Sequence, residues 1–107
     1  DVLIDDRGPR IEFLSPDPDT RVAPGGAVWM HVRFSEELEL HEMRVTLRTE
    51  EEPNMGVLYA GHSHEKVHEV EKEVPLPDMP GTTFEFYAEA SDHEGNTSEA
   101  TVRIQMD

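Results

Sequence analysis

Phe84-Glu85-Phe86-Tyr87-Ala88-Glu89-Ala90, followed after a polar turn by Ala100-Thr101-Val102-Arg103-Ile104-Gln105-Met106, decides the fold class. In each segment every second residue is apolar: Phe84, Phe86, Ala88 and Ala90, then Ala100, Val102, Ile104 and Met106. A period of two places successive side chains on opposite faces of an extended chain, so each segment reads as a half-buried strand. Between them, Asp92-His93-Glu94-Gly95-Asn96 is polar and contains glycine, which predicts a hairpin turn.

The same alternation recurs upstream. Val28, Met30, Val32 and Phe34 share one face, and Trp29, His31, Arg33 and Ser35 the other. Met43, Val45 and Leu47 alternate with Arg44, Thr46 and Arg48. Further strands are expected at 10–14, 57–60 and 67–76; in the last of these Lys72 interrupts the apolar face of His68, Val70, Val74 and Leu76. Residues 36–42 read as an acidic loop. About seven short strands separated by Pro, Gly, Asp and Asn predict an all-β, immunoglobulin-like antiparallel sandwich. Residues 1–9 read as an N-terminal tail and 10–107 as the sandwich domain. Phe34, Phe84, Phe86 and Ile104 are the expected centre of the core, since burial of each large side chain contributes roughly 1.5–3 kcal/mol. Trp29 falls on the solvent side of its strand and is expected to be covered, either by the tail or through a register one residue away.

If strand direction simply alternates, the loops after the second, fourth and sixth strands gather at one end with the N-terminal tail. His41, His62, His64 and His93 then share that end, together with Asp5, Asp6, Glu36, Glu37, Asp92 and Asn96. The end that clusters such loops is where sandwiches present binding residues.

The most chemically specific stretch is Gly61-His62-Ser63-His64-Glu65-Lys66-Val67-His68. Imidazoles two residues apart leave an extended chain on one side and offer two nitrogen ligands to one metal. Zinc or copper suits such nitrogens. His62 and His64 are the expected core ligands, with His68, His93 or His41 and a nearby carboxylate completing the shell. Calcium on Asp5, Asp6, Glu36, Asp92 and Asn96 ranks lower, because no contiguous calcium-loop motif is present. Catalysis ranks last: Ser63 lies between histidines but lacks the glycine-flanked elbow of the hydrolases.

The chain carries 24 acidic residues against 9 Lys and Arg, a net charge of -15, in 107 residues. That surface repels nucleic acid and anionic lipid and favours cations or basic partners. Protonating all six histidines would bring the charge from -15 to -9, so divalent-cation affinity should fall in acid. Absence of cysteine excludes disulfides, thiolate metal sites and cysteine nucleophiles. No apolar run reaches transmembrane length and no signal peptide is visible; a start at Asp1 suggests a trimmed chain whose lipid anchor or export signal would precede it.

Gly8-Pro9-Arg10-Ile11, Pro24-Gly25-Gly26 before a strand, Gly61-His62-Ser63-His64 and Asp92-x-x-Gly95-Asn96 occur in the order found in a known family. From about Arg7 to Met106 the chain resembles an uncharacterised immunoglobulin-like family of Gram-negative surface lipoproteins, a domain of unknown function. It differs from that pattern in being acid-rich around His68. The resemblance implies the sandwich fold and an exported, periplasmic or cell-surface location, and implies no mechanism. Together these readings favour a non-catalytic binding or accessory module, taking a divalent metal or another protein as partner. The alternative is a structural spacer.

Overall fold

A computed structural model describes residues 8–36 and 39–107. Eight strands follow in order: β1 (Arg10–Ser15), β2 (Arg21–Val22), β3 (Ala27–Ser35), β4 (Leu40–Thr49), β5 (Gly56–His62), β6 (Val67–Pro75), β7 (Thr83–Asp92) and β8 (Thr97–Met106). Helix is absent among the described residues, and none is therefore long and apolar enough to cross a membrane.

The strands form two sheets, β1-β3-β6 and β2-β8-β7-β4-β5. All pairings are antiparallel except the two-residue pairing of β2 with β8. The fold is therefore an immunoglobulin-like sandwich, with β5 beside β4 in the larger sheet, the place of the added strand in variable-type domains. Its core is what the alternation predicts. Val28, Met30, Val32 and Phe34 from one sheet meet Met43, Val45, Leu47, Phe84, Phe86, Ala88, Val102, Ile104 and Met106 from the other, all buried.

Besides β2, an eighth strand where the sequence predicts about seven and none at residues 21–22, three details depart from the sequence reading. The acidic stretch 36–42 is not all loop, because β4 begins at Leu40, which is fully buried. Its pairing with β7 passes from Leu40–Asp92 to Glu42–Ser91, so His41 is an extra residue, a bulge. The bulge explains why Leu40 and Met43, three apart, both face the core. β5 likewise runs on to His62, past the expected end at Ala60. Trp29 is the third departure. The register of β3 is as read, yet Trp29 is 51% exposed rather than covered. The proposed covering tail, with Asp5 and Asp6, falls mainly on residues 1–7, outside the described residues; of the rest, Pro9 is buried.

Lys72 and His68, the polar residues on the inner face of β6, have a structural use. Lys72 Nζ donates to the Leu58 carbonyl at 3.0 Å, and His68 Nε2 is 2.8 Å from the Tyr59 hydroxyl. Both contacts join β6 to β5, the neighbouring edges of the two sheets. Their polar ends close the side of the sandwich where apolar residues would meet water.

Candidate metal site at the loop end

Alternating strand direction does bring the three connections together. The Glu36 N–H donates to Lys66 O (2.8 Å), the Leu40 N–H to Glu65 O (3.0 Å), and the Ser63 N–H to His41 O (3.0 Å). These backbone bonds tie the β3–β4 and β5–β6 connections to one another. Gly8 also packs at this end, where an added Cβ would collide with Ser98 Oγ and the Thr97 carbonyl.

The β7–β8 turn is shaped by Asp92. Its Oδ1 accepts the N–H groups of Glu94 and Asn96, each at 2.9 Å, and its Oδ2 accepts the Asn96 amide at 3.1 Å. Gly95 takes a positive φ of 86° that returns the chain toward β8. Burial pushes the Asp92 carboxyl up, but these donors, with a hydrogen bond from the Glu36 side chain, outweigh it and hold the carboxyl below its ordinary value. Glu36 and Asp92 are both buried. This small polar core fixes the turn whose tip carries His93.

Above it, four imidazoles meet. His93 stacks on His41, with centroids 4.4 Å apart, and on His64 at 5.1 Å. His62 meets His64 edge-on at 5.8 Å and His41 edge-on at 6.5 Å. Each reaches the group differently: His41 by the bulge in β4, His62 as the last residue of β5, His64 from the following bend, and His93 from the Asp92-ordered turn.

Glu39 supplies the carboxylate. Its Oε2 is 3.3 Å from His64 Nδ1 and 3.5 Å from His93 Nε2. Ligand atoms of Glu39, His64 and His93 all lie within 4.8 Å of one another. In a tetrahedral zinc shell with bonds of about 2.0–2.1 Å, adjacent ligand atoms are about 3.3 Å apart. The distances from Glu39 to the two imidazole nitrogens are therefore close to those in a metal shell, and they equally suit an imidazole N–H donating to the carboxylate. The rings of His64 and His93 are within 10° of parallel, so their lone pairs converge on one ion only if a ring turns. His64, 69% exposed, has room to do so. No family model and no curated protein matches the chain.

His68 stands apart from this group, stacked at 5.7 Å on Tyr59 and engaged by its hydroxyl. Ser63 Oγ accepts the Glu65 N–H at 2.9 Å and so orders the histidine bend. Of the oxygen ligands considered for calcium, Asp92 already accepts donors on both oxygens within its own turn. The sequence does not single out Glu39, because the acidic stretch offers several carboxylates and only the fold selects one.

Proposed function

We propose that the loop end binds one divalent transition-metal ion, zinc or copper, through Glu39, His64 and His93, with His62 and His41 as the imidazoles that complete or exchange into the shell. The observation that carries this reading is the convergence of three ligand atoms within 4.8 Å, from three separate connections. Nitrogen-rich donors favour these ions over calcium. The module is read as a binding or accessory domain rather than an enzyme. The metal would lie at an exposed pole, where Glu39 is 51% and His93 38% exposed, and catalysis favours a cleft that excludes water. An exported, periplasmic or surface-anchored setting is part of the proposal and rests on the sequence resemblance.

Isothermal titration of tag-free protein with zinc tests it. The expected result is one ion per chain, with affinity reduced at least tenfold in His64→Ala/His93→Ala and in Glu39→Ala. Equal, weak heats from wild type and both variants would overturn the reading and leave the spacer alternative.

A further inference from the structure

The outer face of the larger sheet carries a groove of about 940 Å³, running from His41 and His62 toward Tyr87 and Glu99. It follows from side-chain size along the register. Arg44 of β4 faces Ala60 of β5 on one side and Glu89 of β7 on the other; Glu89 in turn faces Glu99 of β8. Ala60 is too short to fill its place in that row. The far wall is fixed, because the Tyr87 hydroxyl donates to Glu99 and the Arg48 guanidinium lies 4.1 Å from the Tyr87 ring centre.

The groove borders an open strand edge. On β5, Tyr59 and Gly61 pair with Val45 and Met43 of β4, in phase with the bond from the Ser63 N–H to His41 O. By strand alternation, Ala60 and His62 direct their N–H and C=O groups the other way, away from β4. The Leu58 carbonyl is capped by Lys72, the way a lysine blunts a sheet edge. Among the described residues nothing covers Ala60 and His62 in that manner.

We infer that the Ala60–His62 edge is a strand-addition site for an extended basic peptide, whose lysine or arginine side chain crosses Ala60 into the groove. The main chain of such a peptide would meet the four outward groups of Ala60 and His62. Charge selects the side chain: Glu42, one strand in from the edge and opposite His62, and Glu89 on the far side of Arg44 line the groove, in a chain of net charge -15. A free amine would use the carboxylates but not the edge, so the peptide is the better occupant. This inference is independent of the metal reading.

The test is an NMR titration of ¹⁵N-labelled protein in EDTA with an acetylated, amidated seven-residue peptide of alternating valine and lysine. Expected are amide shifts centred on residues 60–62 and Arg44, and at least tenfold weaker binding to Ala60→Trp and to Glu42→Gln/Glu89→Gln. The same peptide N-methylated at alternate residues should lose binding, as should its glutamate counterpart. Absence of shifts at millimolar peptide, equal binding of the N-methylated or glutamate peptide, equally tight spermidine, or shifts centred elsewhere would each overturn it. Ala60 is exposed, and melting curves of both variants establish that they are folded.

Discussion

The Tyr59 hydroxyl lies 2.8 Å from His68 Nε2 and ties the edge of one sheet to the edge of the other. Burial raises the Tyr59 hydroxyl above its ordinary value, so it remains a neutral group in this bond. The contact assigns His68 to the closure of the sandwich rather than to the loop-end cluster. Tyr59→Phe and His68→Ala should each cost about 1 kcal/mol in chemical denaturation, with a coupling of similar size in the double mutant. Zinc titration of His68→Ala should match wild type; a tenfold loss would place His68 back among the ligands.

Gly61 is required by the same bond. A Cβ at position 61 would come within 2.6 Å of the Tyr59 hydroxyl oxygen. Gly61→Ala should push the ring away and break its bond to His68, again costing about 1 kcal/mol. In a Tyr59→Phe background the penalty should shrink, and denaturation of the two alanine variants checks this.

Asp92 makes stability depend on acid in a defined direction. Its folded-state value is held below the ordinary carboxylate value, so its stabilising contribution is complete above the unfolded value, near 4, and fades as pH falls through the folded one. Asp92→Asn should lose about 1–3 kcal/mol at pH 7, and its melting temperature should fall less steeply between pH 5 and 2 than that of wild type.

Metal should stabilise the fold with the opposite competitor in view, the proton on imidazole. Zinc at a hundredfold excess over its dissociation constant should add about 2.7 kcal/mol. That gain should shrink in acid, where protons compete with the metal for ligand nitrogens. His64→Ala/His93→Ala should show no zinc-dependent rise in melting temperature.

Trp29 is the chain's sole tryptophan and is half exposed. Its emission should be that of a solvated indole and should quench readily with acrylamide in the folded protein. Phe86, fully buried, should behave in the opposite manner to an exposed residue, with Phe86→Ala losing about 3–5 kcal/mol in denaturant. A loss below 1 kcal/mol would contradict its place in the core.

The order of residues alone settled which faces are buried. Val28 to Phe34, Phe84 to Ala90 and Val102 to Met106 alternate because a pleated strand turns successive side chains to opposite sides, and burial of apolar area then decides which side faces in. It also leads to the expectation, conditional on strict alternation of strand direction, that His41, His62, His64 and His93 share one end. What the chain could not reveal by itself depends on distances between segments remote in sequence. Only the folded arrangement chose Glu39 among neighbouring carboxylates, and gave His68 to Tyr59. The bulge that turns His41 toward His93 lies inside an acidic stretch with no periodic signal, because it answers to pairing with Asp92 and Ser91. Local periodicity is fixed by covalent geometry, whereas the meeting of particular side chains is fixed by register and bulges, which the whole sandwich selects when it packs.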